Sequence, residues 1–367
     1  MRTRRIAVAG LATLSLLLTA CGGDGDGDTS TGTGGDGGGG GGDAAEAKIG
    51  VILPDSKSSA RWETADRKFL EEAFKAAGVD YDIQNAQGDK AQFQTIADQM
   101  VSGGVNVLMI VNLDSGTGKA VLDKAKSQGV ATIDYDRLTL GGSAQYYVSF
   151  DNVAVGRLQG EGLAQCLGDK EANIAFLNGS PTDNNATLFA EGAHSVLDEM
   201  SNYNVIAEQA VPDWDNQQAA TIFEQMLTAN KNIDGVLAAN DGLGNAAISI
   251  LKKNNLNGEV PVTGQDATVE GLQNILAGDQ CMTVYKAVKK EADAAAELAI
   301  ALAKGEKPEA PATTEDTEGG RDVPSVLLEP QSIFKDNVGD VVTDGFVSKE
   351  DLCTGDFAAM CTEAGIS

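Results

Sequence analysis

From Ala45 onward, short apolar runs alternate with stretches whose apolar positions recur every three or four residues. Lys48–Leu53 predicts a strand, Thr64–Ala77 a helix ended by Gly78, and Val79–Gln84 a second strand. Lys90–Ser102 follows as a helix closed by Gly103-Gly104, then Val105–Val111 as a buried strand, Gly118–Gln128 as a helix and Ala131–Tyr135 as a strand. The pattern restarts at Tyr146–Phe150. Helices over Val153–Leu167, Thr187–Met200, Gln217–Ala229, Asn245–Asn254 and Val269–Ala277 then alternate with strands over Asn173–Leu177, Asn204–Ala210, Gly235–Ala239 and Val260–Gly264. This rhythm predicts an α/β fold: two doubly wound parallel-sheet lobes of similar size, with helices on both faces of each sheet. Glu306–Asp322, rich in Pro, Glu, Thr and Gly, reads as a loop or crossover rather than a packed element.

The two units echo one another. Val107–Val111 leads into Asn112-Leu-Asp-Ser-Gly-Thr-Gly118 and a helix, and Val236–Ala239 leads into Asn240-Asp-Gly-Leu-Gly244 and a helix. In open parallel sheets ligands bind beyond the carboxyl ends of strands, where such polar turns lie. Two lobes with facing turns make a cleft.

The chain opens on Met1-Arg-Thr-Arg-Arg5, an apolar stretch from Ile6 to Leu18, and Leu18-Thr19-Ala20-Cys21. A basic start, a short apolar core and small residues before a cleavage point predict a signal peptide over residues 1–20. The apolar stretch falls short of the roughly 20 residues that span a bilayer. Small residues leading into one Cys resemble the lipobox of bacterial lipoproteins, which implies acylation of Cys21. A Gly/Asp-rich tether then runs to residue 45. The expected location is extracytoplasmic, lipid-anchored to the outer face of the cell membrane.

Removal of the signal takes away Arg2, Arg4 and Arg5, so Lys+Arg falls from 27 to 24 against 54 Asp+Glu, a net charge near −30. That excludes the basic stripe nucleic acid requires, and it disfavours an anionic lipid surface except through the anchor. Of five Cys, four remain beyond Cys21, and they allow three pairings. Cys353 and Cys361 are near neighbours expected to bridge locally. Cys166 ends a predicted helix and Cys281 begins a predicted strand, positions that can meet at one end of a domain, so Cys166–Cys281 is the second expected pair.

Motifs for catalysis and cofactors are weak. Gly116-Thr-Gly-Lys119 lacks the spaced first Gly of a phosphate-binding loop, and Ala120 stands where a Ser or Thr would hold magnesium. Pro54-Asp55-Ser56, not a dinucleotide glycine motif, follows the first strand. The single His, His194, lies inside a predicted helix with no Gly-x-Ser-x-Gly turn, which points to packing or surface. No Cys or His cluster suggests a metal, and no cofactor is expected.

What remains is a set of polar and aromatic residues in loops after strands: Arg61-Trp62, Asp136-Arg137, Asp183 and Asn185, Trp214, Asn240-Asp241, Gln265-Asp266 and Lys286. Carboxylates, amides and guanidinium groups bond hydroxyls as acceptors or donors, and an indole face covers the C–H side of a sugar ring. Both Trp residues of the chain fall in this set. Taken singly, Asp183, Asn240 or Asp241 is accounted for by capping the next helix. Arg61-Trp62 and Asp136-Arg137 are not, because Arg does not cap a helix start.

Arg61-Trp-Glu-Thr-Ala-Asp-Arg67, Asp134-Tyr-Asp-Arg137, Val148-Ser-Phe-Asp-Asn152, Gly179-Ser-Pro-Thr-Asp-Asn-Asn-Ala-Thr-Leu-Phe189, Ala239-Asn-Asp241, Gly264-Gln-Asp-Ala267 and Met282-Thr-Val-Tyr-Lys286 together resemble the periplasmic-binding-protein type I sugar receptors of ABC importers, most closely the D-xylose-binding branch. The resemblance implies that Arg61, Asp136, Arg137, Asp183, Asn185, Asn240, Asp266 and Lys286 hydrogen-bond a monosaccharide, with Trp214 stacking on it. It implies hinge crossings near Asp151, near Tyr285 and beyond Lys304. One lobe would then hold residues 46–151 plus 285–308, and the other 152–284 plus 309–362. It also implies a monomer that is not an enzyme and that delivers its sugar to an ABC permease. Ser58-Ser59-Ala60 and Asn112-Leu-Asp114 depart from the xylose-receptor pattern. Two alternatives are a receptor serving a chemosensor or sensor kinase and a secreted glycan-cleaving enzyme.

Overall fold

A computed structural model describes residues 47–366. The expected signal peptide, Cys21 and the expected tether lie outside the described residues.

The first lobe is built from β1 (Lys48–Leu53), α1 (Arg67–Ala77), β2 (Asp80–Asn85), α2 (Lys90–Ser102), β3 (Val107–Ile110), α3 (Ser115–Ser127), β4 (Ala131–Tyr135) and β5 (Tyr146–Phe150). The chain crosses at Asp151 into a second lobe. There it forms α4 (Asn152–Leu167), β6 (Ala172–Asn178), α5 (Asn184–Leu197), β7 (Tyr203–Ala210), α6 (Asn216–Ala229), β8 (Gly235–Ala238), α7 (Asp241–Lys253), α8 (Val269–Ala277) and β9 (Thr283–Tyr285). After Tyr285 it returns to the first lobe as α9 (Val288–Ala303), β10 (Ala312–Asp316) and β11 (Arg321–Leu328). It crosses a third time at Glu329-Pro330 to β12 (Gln331–Ile333) and the short helices α10 (Val338–Thr343), α11 (Lys349–Leu352) and α12 (Phe357–Glu363).

The first sheet has the order β10-β11-β5-β4-β3-β1-β2, parallel except for the β10/β11 hairpin. Strand β3 is apolar throughout and every residue of it is buried, as parallel strands covered on both faces require. The second sheet runs β7-β6-β8 in parallel and continues through single bridges at Val262 and Gln265 to the β9/β12 pair. In both lobes the first strand lies second in the sheet, so strand order reverses beside it and the carboxyl ends there open onto a crevice. Within the second lobe α4 and α5 approach closely because Gly156 and Gly192 face each other. A Cβ at Gly156 would fall on the Phe189 carbonyl, and one at Gly192 on the Val153 carbonyl.

Three expectations need correction. Glu306–Asp322 is not merely a connection, since β10 and the start of β11 form a hairpin whose β11 pairs in parallel with β5. Residues 309–328 therefore belong to the first lobe, and the third crossing lies at 329–330 rather than just beyond Lys304. The run Ala312-Thr-Thr-Glu-Asp316 reads as a loop because an edge strand tolerates polar residues on its open side. Its turn is fixed by the Asp316 carboxylate, which accepts from the Gly319 and Gly141 amides at 2.8 and 2.7 Å. Lastly, Val260–Gly264 makes only the bridge of Val262 to Val236 instead of a full strand.

Disulfides join Cys166 to Cys281 and Cys353 to Cys361, with Cα atoms 6.4 and 5.9 Å apart. Among the described residues no helix is long and apolar enough to cross a membrane. His194 stacks on Phe176 with ring centroids 4.5 Å apart and faces Asp198 and Glu208, a surface role.

Candidate functional site

Between the lobes lies a small cavity whose walls close in on one another. Eleven of the twelve loop residues singled out from the sequence line it: Arg61, Trp62, Asp136, Arg137, Asp183, Asn185, Trp214, Asn240, Gln265, Asp266 and Lys286. Ser58, Ser59 and Phe189 complete the wall. Asp241 is elsewhere. Its buried carboxylate accepts from Gln280 Nε2, Thr283 Oγ1 and Thr268 inside the second lobe, and burial pushes its pKa up to about 7.

Arg61 enters from the loop after β1. A π-helical turn over Trp62–Asp66 follows it, and in such a turn residues five apart stack, so Asp66 sits beneath Arg61. Arg61 Nε and Nη2 donate to the two Asp66 oxygens at 2.9 and 2.8 Å. Its Nη2 also donates to Glu291 Oε2 at 2.6 Å, and its Nη1 to Asp136 Oδ2 at 3.0 Å. Burial opposes the charge on Arg61, but the carboxylates of Asp66, Glu291 and Asp136 overcome it and hold its pKa well above the usual arginine value. The Trp62 ring lies 4.5 Å from Arg61 Cζ and 5.5 Å from Arg137 Cζ, and its Nε1 donates to Ser58 Oγ at 3.0 Å.

Asp136 and Asp266 terminate equivalent paths in the two lobes, and each has a left-handed backbone, with φ of 62° and 98°. Non-glycine residues seldom adopt that region, and where they do it marks sites whose surroundings enforce it. At Asp136 the enforcement is visible: its carbonyl accepts from Tyr147 OH, Ser149 Oγ and Asn185 Nδ2 at 3.1, 2.7 and 2.9 Å. Burial acts to raise the Asp136 pKa, but Lys286, Arg61 and Arg137 outweigh it and keep the group ionised. Lys286, at the second crossing, stands 3.7 Å from Asp136 Oδ2 and 3.5 Å from Asp266 Oδ1, against the rings of Phe150 and Phe189.

Trp214 follows a short turn at Pro212–Trp214 and donates from Nε1 to Asp183 Oδ2 at 3.1 Å. Gly179 lies under the indole, so a Cβ there would meet the ring. Asp183 also caps α5 through the Asn185 amide, and Asn240 caps α7 through the Leu243 amide. Capping and cavity roles thus coexist in one side chain. Asn112, the first-lobe counterpart of Asn240, does not reach the cavity. It donates to Arg137 O and Thr139 Oγ1 and braces the loop that carries Arg137.

The lobes touch directly through these same residues. Ser59 Oγ donates to Asp266 Oδ2 at 3.0 Å, Asn240 Nδ2 to Ser58 O at 3.2 Å, and Asn185 Nδ2 to Asp136 Oδ1 at 3.2 Å. The wall holds three cations (Arg61, Arg137, Lys286) and three carboxylates (Asp136, Asp183, Asp266), a balance suited to an uncharged polar ligand. Asp266 Oδ1 and Gln265 Oε1 are buried without a hydrogen-bond donor, so acceptors remain on offer. Among the described residues no cluster of side chains suited to a metal ion occurs.

No pattern in the sequence marks Ser58, Ser59 or Phe189 as ligand contacts. The serines belong to a short polar loop with no distinguishing spacing, and Phe189 reads as an ordinary apolar face of α5. Glu291 was likewise missed, one acid among 54.

A periplasmic binding protein domain matches residues 49–307. The chain is 37% identical over 312 residues to the D-xylose-binding periplasmic protein of Haemophilus influenzae, covering 84% of this chain and 92% of that protein. It is 33% identical over 329 residues to the multiple sugar-binding periplasmic receptor ChvE of Rhizobium radiobacter, covering 84% and 92%. A carbohydrate transporter solute binding protein from Chloroflexus aurantiacus, solved in complex with D-glucose, superposes with a TM-score of 0.77 at 29% identity, covering 83% of this chain and 97% of that one. These relatives are binding proteins rather than enzymes. With two crossed α/β lobes around one cavity and a match over most of its length, the chain belongs to the periplasmic binding protein family, in its type I form.

Proposed function

We propose that this protein is an extracytoplasmic receptor that binds one monosaccharide, D-xylose foremost, in the interlobe cavity and hands it to an ABC permease. Anchoring through an acylated Cys21 and action as a monomer are part of the same proposal. The observation that carries it is the wall itself: balanced charges, two indoles, and buried acceptors at Asp266 Oδ1 and Gln265 Oε1 that hydroxyl donors would satisfy. The relative at 37% identity, named for D-xylose, supports the choice of sugar.

Sugar first engages one lobe. Closure then places the Asp and Asn groups of the other lobe on the remaining hydroxyls, and only a ligand that touches both lobes favours the closed state. A micromolar dissociation constant corresponds to about −8 kcal/mol. Several charge-assisted hydrogen bonds of roughly 1.5–3 kcal/mol each, less the cost of ordering and closure, reach that value.

A broader sugar specificity is the second reading, favoured by the multiple sugar-binding relative at 33% identity. A thermal-shift panel of pentoses and hexoses separates the two. Ligand at a hundredfold above its dissociation constant stabilises by about 2.7 kcal/mol. D-xylose alone giving that shift supports the narrow proposal; comparable shifts from D-glucose and D-galactose support the broad one; no shift from any aldose refutes both.

A further inference from the structure

We infer that Glu291, which does not line the cavity, is a positioning residue that sets sugar affinity by controlling how Arg61 is held. This inference rests on the sugar-receptor function proposed above and deepens it.

The argument starts from the donor count. A guanidinium has five N–H groups. Arg61 commits two to Asp66, one to Glu291 and one to Asp136, which leaves a single Nη1 hydrogen for a ligand. The direction of that hydrogen is fixed by the carboxylates that grip the rest of the fork. Glu291 is fully buried, its Oε2 makes the shortest of the Arg61 contacts at 2.6 Å, and its Oε1 has no hydrogen-bond partner at all. An ionised carboxylate with one orphaned oxygen is costly in such a place; protonation at Oε1 removes the charge and leaves the smaller cost of one unmet neutral hydroxyl.

The surroundings favour the neutral form. The groups facing Glu291 are Arg61 and Asp66 from the turn before α1, Tyr135 and Asp136 from β4 and its end, Tyr147 from β5, and Lys286 at the entrance to α9. Burial, opposed by Arg61 and reinforced by Asp136 and Asp66, pushes Glu291 up to about 8. With Glu291 neutral, Arg61 faces two carboxylates, those of Asp66 and Asp136. Loss of the Glu291 proton adds a third anion on the side of Arg61 away from the cavity. That draws the guanidinium towards α9 and weakens its donation to the ligand.

The test is calorimetric titration of D-xylose and of D-glucose into wild type, Glu291→Gln and Glu291→Ala across about pH 6.5 to about pH 9.5, with folding checked by circular dichroism. Gln is isosteric with the protonated acid. The expected result is that wild-type affinity falls roughly tenfold above about pH 8, that Glu291→Gln keeps neutral-pH affinity without that fall, and that folded Glu291→Ala binds at least about tenfold more weakly at neutral pH. A merely structural role would leave the pH profile of Glu291→Gln parallel to wild type, and that outcome overturns the inference even if the Ala variant does not fold. Wild-type affinity that is flat with pH, or folded Glu291→Ala with wild-type affinity, also overturns it. Absence of any sugar binding by wild type overturns the receptor function itself, which is a distinguishable failure.

Discussion

Arg137 Nε of the first lobe stands 2.9 Å from Asp183 Oδ2 of the second, and both side chains are almost wholly buried. The N–H is not aligned for a hydrogen bond, and Asp183 Oδ2 instead accepts from Trp214 Nε1 while Arg137 Nη1 donates to Asn112 O at 3.1 Å. The pair is therefore a charge contact across the cleft, held on each side by its own lobe. It links closure to the two residue types best suited to a sugar, a cation and an indole.

Removing one member of a buried pair leaves the other charge uncompensated, at a cost of a few kcal/mol. Asp183→Asn is expected to weaken sugar binding at least about tenfold. Small-angle scattering should then show a smaller compaction at a given sugar concentration. Unchanged affinity would mean that Arg137 is compensated elsewhere.

Gly179→Ala tests the indole. The backbone at 179 is not in the left-handed region, so strain comes only from the added Cβ meeting the Trp214 ring. The expected outcome is a displaced indole, an altered tryptophan emission spectrum and about tenfold weaker binding. An unaltered spectrum with full affinity would show that the ring is not confined where the structure places it.

Stability should fall as pH rises from about 4 to about 7 on account of Asp134. Burial pushes this carboxyl up to about 7, offset only in part by the Thr139 amide and hydroxyl. A group whose folded value is raised contributes stability that is complete below its unfolded value and is lost as pH climbs through the folded one. The slope reaches about 1.4 kcal/mol per pH unit for one such group. Denaturant melts of wild type and Asp134→Asn at about pH 5 and about pH 7 check it: the substitution should shrink the difference, and Asp241 and Glu291, also raised by burial, sustain the remainder. An identical difference in both proteins would contradict the sign.

The two disulfides should contribute unequally. In the chain-entropy account, the Cys166–Cys281 loop of 115 residues stabilises by about 5 kcal/mol and the Cys353–Cys361 loop of 8 by about 2.5 kcal/mol. Replacing Cys166 and Cys281 by Ser should therefore lower the denaturant midpoint more than replacing Cys353 and Cys361. The reverse order would show that native-state effects dominate.

Much of the site was legible because the residues that line it follow strands, and strands with βα periodicity are the strongest pattern in the chain. Arg61-Trp62 and Asp136-Arg137 stood out for lack of a capping explanation, and the structure brings both pairs to the cavity. Polar edges and second layers were not legible. The β10/β11 hairpin looks like a linker because its outer strand faces solvent. The π-turn that stacks Asp66 under Arg61 is hidden in a segment whose spacing also fits an α-helix, with Glu63 and Arg67 paired four apart at 2.7 Å. Glu291 lies 230 positions from Arg61, and no local pattern announces such a contact.

The most direct test of a single-sugar receptor is calorimetric titration of D-xylose into wild type and Asp266→Ala. Asp266 supplies a buried carboxylate oxygen that accepts no hydrogen bond, with Lys286 Nζ 3.5 Å away, and an interlobe contact to Ser59. The account predicts one sugar bound per chain by wild type and at least about tenfold weaker binding by the variant. No heat from wild type, or equal affinity in both proteins, would contradict it.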